Sequence, residues 1–374
     1  MTTSFLPKTA RSLAISLLFS TLAFAQHYNE TKLVSDIPGE AAVTDPNLVN
    51  AWGLARSAGS PWWVANNGTG TSTLYNGSGV PQPQPSPTNP AAVPLVVTVP
   101  PPKDGTGPAT PTGAVFNGTQ DFAIAPTKPA IFIFVTEDGT ISGWNPGVDP
   151  KNAKLVVDKS KYGAVYKGAT ISEHRGQHYL YVTNFHAGRI EVYDAYFNRV
   201  QLHDDAFRDR YIPYGYAPFN IQAIGRNLFV TYAKQDAEKH DDVAGPGFGF
   251  VDVFSPSGKL RARLDHGPWL NSPWGVAMAP GEFGEFSHSL LIGNFGSGQI
   301  AAYNPVTGRF QGLFLNPDGS DLSINGLWAL SFGNNGGAGP SNTLFFSAGL
   351  NDEADGLFGT LTPIAAELNE EDEP

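Results

Sequence analysis

The sequence contains no cysteine. That excludes disulfides, thiolate metal centres and a lipid-bearing cysteine, so a stable fold must come from core size and topology. Charge is also scarce. Asp, Glu, Lys and Arg make up 15% of 374 residues, and 34 acidic against 23 basic side chains give a formal net charge of −11. A chain so poor in Lys and Arg is a poor match for nucleic acid or anionic membrane surfaces, and no nucleic-acid partner is expected. Beyond residue 25 no apolar run reaches about 20 residues, so no membrane-spanning helix is expected. The local signatures G-x-S-x-G, G-x-x-x-x-G-K-[ST] and H-E-x-x-H are absent as well.

What the chain does have is turn chemistry and aromatic bulk. There are 42 Gly, 31 Pro and 12% aromatic residues, a composition of many tight connections around a large core. The first 25 residues are expected to be a signal peptide. Lys8 and Arg11 precede the apolar "SLAISLLFSTLAF" (12–24), and Ala23-Phe24-Ala25 forms an A-x-A cleavage site. Cleavage near Ala25/Gln26 would leave an exported protein, periplasmic or extracellular, with one domain over 26–365 and an acidic disordered tail over 366–374.

Internal repetition sets the fold. "AWGLA" (51–55) and "WGVAMA" (274–279) carry the same Trp-Gly-branched-Ala phrase, and each leads into a hairpin pattern of alternating runs around an Asn- and Gly-rich turn. Similar hairpins occupy 61–77, 130–146, 178–194, 227–258, 289–305 and 343–363, each after a short apolar stretch. Five are followed by a further extended run: "LVVTVP" (95–100), "AKLVVD" (153–158), "NRVQLH" (198–203), "KLRARL" (259–264) and "RFQGLF" (309–314). Four strands per unit and six units predict an all-β, six-bladed β-propeller. The sixth unit lacks its fourth strand, while "ETKLVSD" (30–36) is left over at the front. That strand is predicted to close the last blade. Gly53 and Gly275 suit the crowded start of innermost strands. Trp52 and Trp274 are expected as wedges between adjacent blades, with Trp328 displaced from their phase.

"YVTNFHAGRIEVYD" (181–194) resembles an NHL-type repeat, and "IGNFGSGQIAAYNP" (292–305) resembles it more loosely. Over residues 30–363 the order of units is similar to an uncharacterised family of exported bacterial six-bladed propeller proteins. That resemblance implies a fold and a location but no reaction. The architecture is also similar to the calcium-dependent lactonase and phosphotriesterase propellers, a likeness of fold rather than of motif.

In such a blade the turn between strands two and three shares a face with the start of strand one, so both ring the channel mouth. Asn50, Asn220, Asn271 and Asn325 fall at strand-one starts, and Asn184 and Asn294 open second-to-third turns. Calcium takes six to eight oxygens, carboxylates with Asn or backbone carbonyls. A candidate ligand set is therefore Asn50, Asn184, Asn271, Asn294, Asn325, Asp352 and Glu353, although the strand starts offer Asn where the lactonase propellers also place an acid. A long insertion over 234–247 contains His240, Asp241 and Asp242. It could lid the mouth, with His240 or His186 in a base role. Asx turns and a solvated loop explain the same residues without chemistry. The function expected is a non-catalytic binding or scaffold protein whose Asn-rich face holds a polar ligand or a protein partner. The alternative is a calcium-dependent lactonase or esterase. Closed edges predict a monomer.

Overall fold

The computed structural model describes residues 27–364. They form six blade sheets set in a ring, antiparallel except where Val43–Thr44 adds parallel to the edge of the last, and one separate two-stranded sheet; none of their helices is long and apolar enough to cross a membrane. The innermost strands, in blade order, are Ala51–Ala55, Pro111–Phe116, Tyr166–His174, Tyr216–Ile224, Pro273–Met278 and Leu327–Phe332. Blade 6 closes as predicted. The N-terminal strand Tyr28–Ser35 pairs antiparallel with the C-terminal strand Asp355–Pro363, from Tyr28 opposite Pro363 to Ser35 opposite Leu357.

Period-2 alternation gives every blade two apolar faces, and each must be covered by a neighbour. Six buried clusters accordingly lie between successive blades. Trp62 and Tyr75 of blade 1 meet Phe345 and Phe358 of blade 6, and Trp63 of blade 1 stacks on Phe132 of blade 2 at 4.2 Å between ring centroids.

A seventh cluster lies on the axis, and it corrects the expectation for the tryptophans. In all six innermost strands the pairing register slips at one place, at or beside Trp52, Thr112, Lys167, Phe219, Trp274 and Trp328. A bulge re-aims the side chain at the extra residue. Trp52 stacks on Trp328 at 3.6 Å, and Trp274 meets both edge-on at 6.3 and 5.9 Å. They plug the centre rather than wedge neighbouring blades apart, and Trp328 keeps the phase of the other two. Bulged backbones leave no room beside them. A Cβ on Gly53 would lie 2.4 Å from the Thr112 carbonyl oxygen of blade 2.

One predicted strand does not form. "NRVQLH" in blade 3 makes a bridge between Arg199 and Tyr193, with bonds from Val200 N to Val192 O (2.8 Å) and from Asp194 N to Asn198 O (2.9 Å), but no full strand, so that sheet has three strands. The chain is drawn away by Phe207, whose N–H donates to Gly258 O (2.8 Å) and whose ring packs on Tyr181 and on Phe254 of blade 4.

Candidate site at the channel mouth

Four of the six axial positions are aromatic and one is Thr112. The sixth, in blade 3, is Lys167. Its side chain is only 2% exposed. A buried ammonium must be paired, and Lys167 Nζ donates to Glu137 Oε1 and to Asp241 Oδ1 (3.0 Å). It also lies 5.2 Å from the Trp52 ring and 5.9 Å from that of Phe185, within cation–π range. Burial pulls the Lys167 pKa down, but the charges of Glu137 and Asp241 outweigh it and hold the group above its ordinary value. The lysine is a fixed cation standing on the aromatic plug.

Around it the turns supply carboxylates. Glu137 opens the tight turn of blade 2, and its second oxygen accepts from Asn67 Nδ2 of blade 1 (2.7 Å). Asp241 comes from the long blade-4 insertion. There His240 N donates to Asp236 Oδ1 (2.9 Å), His240 Nδ1 lies 3.0 Å from Asp241 Oδ1, and Gln235 Nε2 donates to Phe185 O (2.6 Å). Burial would raise the Asp241 pKa, yet Lys167 and then His240 hold it below the usual carboxylate value. Donor atoms of Glu137, His240 and Asp241 lie within 4.8 Å of one another.

Glu353 arrives from blade 6 on an unusual turn. Asn351, Asp352 and Glu353 have φ of +53°, +53° and +66°, a left-handed run that costs non-glycine residues about 1–2 kcal/mol each. Glu353 Oε1 accepts from Asn50 Nδ2 (3.2 Å), and Asn50 Oδ1 accepts from Trp328 Nε1 (3.2 Å). Desolvation first, and the charge of Glu137 second, push the Glu353 pKa up to about 7, against the opposing pull of Lys167. Burial also raises Asp242, whose Oδ2 has no hydrogen-bond partner among the described residues. Beside this cluster opens a cleft of ≈570 Å³, lined by Glu137, Asp138, His186, Glu238 and His240 among others.

No family model matches the chain. Two uncharacterized proteins of Acanthamoeba polyphaga mimivirus do. One is 32% identical over 341 residues, covering 88% of this chain and 78% of the viral protein. The other is 31% identical over 341 residues, covering 88% and 84%. The chain belongs to their family. Among solved structures it is similar to a structural-genomics protein of unknown function from Bacteroides thetaiotaomicron, with a TM-score of 0.54 at 9% identity over 91% of this chain and 76% of that one. At that identity the likeness is one of fold. The relatives found in sequence are viral, and the expected link to exported bacterial proteins is not among them.

In this member of the family the sequence-derived candidates fall into separate places. His186 and His240 line the same cleft. Glu353 and Asn50 meet at the mouth. Asn184 is spent inside blade 3, donating to Glu191 Oε1 (3.2 Å) and accepting from Ala187 N (3.1 Å). Asn271 and Asn294 brace the blade-5 turn: Asn294 Oδ1 accepts from Asn271 N (2.9 Å), and Asn271 Oδ1 accepts from Gly245 N (2.6 Å). Asn325 is exposed beside Lys32 and Glu40, and Asp352 is exposed. Of the seven candidate ligands, Asn50 and Glu353 are joined by a hydrogen bond, while Asn184, Asn271 and Asn294 are bonded within nearby turns and strands, and the converging oxygens of Glu137 and Asp241 hold an ammonium. Sequence reading passed over Lys167 and Glu137. The available signal was phase, since Lys167-Gly168 repeats the place of Trp52-Gly53 and Trp274-Gly275.

Proposed function

We propose that the protein is a non-catalytic binding propeller whose site is the channel mouth, and that its ligand is a small polar molecule carrying an ammonium group. The observation that supports this is the charge imbalance around Lys167. Glu137, Asp241 and Glu353 gather around one cation, and Glu353 is pushed up to about 7 by burial first and by the charge of Glu137 second. The mouth also holds its own ammonium with carboxylates and aromatic faces, the chemistry a second ammonium would meet. A bare metal bound through Glu137 and Asp241 would have to displace Lys167 Nζ. No step of this reading uses calcium.

Binding a cation should draw the Glu353 proton off near neutral pH. The test is calorimetric titration with ethanolamine at pH 7 in two buffers of different ionisation enthalpy. Proton release in the native chain, absent in Glu353→Gln, supports the reading; heat without proton release, or no heat, overturns it.

A second reading has one observation behind it. The Glu137–His240–Asp241 grouping offers one imidazole and two carboxylates, a donor set suited to a transition-metal ion and to hydrolysis of an ester or lactone. Chelator-sensitive turnover of a simple lactone would favour it over the binding reading. Export belongs to the same proposal: the segment with the signal-peptide pattern lies outside the described residues, and sequencing the N-terminus of secreted protein should read from Gln26.

A further inference from the structure

Blade 3 is the one sheet of the ring whose third strand, Arg189–Tyr193, has no outer strand beside it. Because Val200 N donates to Val192 O, Val192 turns its backbone polar groups outward. Two residues back on a period of 2, Ile190 does the same, so its N–H and C=O face the open edge. Between this edge and the departing segment lies a groove of ≈340 Å³, lined by Arg189, Ile190, Arg199, His203 and Arg208 among others.

The groove is positive in an otherwise acidic chain. Arg189 and Arg199 both reach the same oxygen of Glu191, at 2.8 and 3.5 Å, so two guanidinium groups share one carboxylate. The other Glu191 oxygen is taken by the hydroxyls of Tyr166 and Tyr193, both at 3.0 Å. Arg208 is exposed and donates only weakly, to the Asp204 carbonyl oxygen at 3.4 Å. The same connection carries Tyr211 and Tyr214, 84% and 97% exposed. Edge strands are ordinarily protected by charge or by a covering segment. Here regular pairing stops at Val200, although Val200, Leu202 and Ala206 still pack on the edge, and Arg189, Arg199 and Arg208 outnumber Glu191 and Asp204 along the groove.

We propose that this edge is a strand-addition site, and that its occupant is an extended acidic segment of a partner protein. Backbone pairing at Ile190 would supply the missing fourth strand, while acidic side chains on alternate residues would meet Arg189, Arg199 and Arg208. The proposal does not depend on the ligand of the channel mouth.

Fluorescence anisotropy with the full chain and a labelled, end-blocked peptide of alternating Glu and Val tests it. Binding should weaken by at least about tenfold when Lys replaces Glu in the peptide, when alternate peptide nitrogens are methylated, and in Arg208→Glu. Arg208→Glu leaves the Glu191 cluster intact, and an unchanged melting temperature confirms it. Equal binding of the Lys peptide, undiminished binding of the methylated peptide, or no binding at the highest soluble peptide concentration overturns the proposal. A native chain that is dimeric, and monomeric as Arg208→Glu, overturns it in favour of a second copy. Binding gained only on removal of residues 365–374 overturns it in favour of the chain's own acidic segment.

Discussion

Lys167 and Glu353 are the two side chains on which the mouth turns, and each makes a distinct prediction. Folding lifts the Glu353 pKa from 4.5 to about 7. Between those values the folded chain keeps a proton that the unfolded chain has lost, so the contribution of this group is complete below about pH 4.5 and declines as pH rises toward 7. Glu353→Gln keeps the acceptor for Asn50 and removes the titration. It should flatten the stability profile between pH 5 and 7 and exceed the native chain at pH 8 by on the order of 1–3 kcal/mol, read from urea melts across pH. Lys167→Met has the opposite sign. It strands Glu137 and Asp241 without their cation and should cost about 3–5 kcal/mol, with part of the loss recovered in Lys167→Met/Glu137→Gln. A double-mutant cycle by denaturant melts reads both. Glu353 stood out in the sequence as a candidate ligand, whereas Lys167 did not. One lysine among aromatic residues has no local signature, and its neighbours Glu137 and Asp241 come from blades 2 and 4, so only folding shows that they meet.

The elements were more legible, because a strand announces itself by alternation and a hairpin by its turn. The innermost strands, the hairpins and five of the six outer strands follow from those signals alone. "NRVQLH" was over-read. Its alternation is strand-like, but Phe207, four residues past its end, finds a better place against Tyr181 and Phe254. Tertiary packing overrode local pattern. The bulges were hidden too, since a slip of one residue in register changes no composition. Their consequence is testable at Gly53, where a Cβ would meet backbone of blade 2 at 2.4 Å. Gly53→Ala should cost on the order of 1–3 kcal/mol, measured by thermal melting. Trp328→Ala removes the stacked partner of Trp52 and leaves a hole on the axis. It should cost about 3–5 kcal/mol and abolish the near-ultraviolet dichroism of the pair, a signal that Gly53→Ala retains in the cold.

For the whole molecule, the surplus strand at one end and the deficit at the other were enough to predict the closure, since a ring with a gap leaves two sheets' faces uncovered. A chain beginning at residue 37 loses the pairing with Asp355–Pro363 and the stack of Tyr28 on Phe314 at 3.9 Å. Calorimetry should show a melting temperature lower than that of any single variant above, with a broadened transition, because blade 6 then opens before the rest. The same closure fixes an order in time. The first described strand of the chain pairs with the last, so Tyr28–Ser35 has no lasting partner until Asp355–Pro363 has been made. The ring therefore cannot be completed on the ribosome while those final residues are still in the exit tunnel. Its last seam is sewn only once Asp355–Pro363 has emerged, late in the making of the ring.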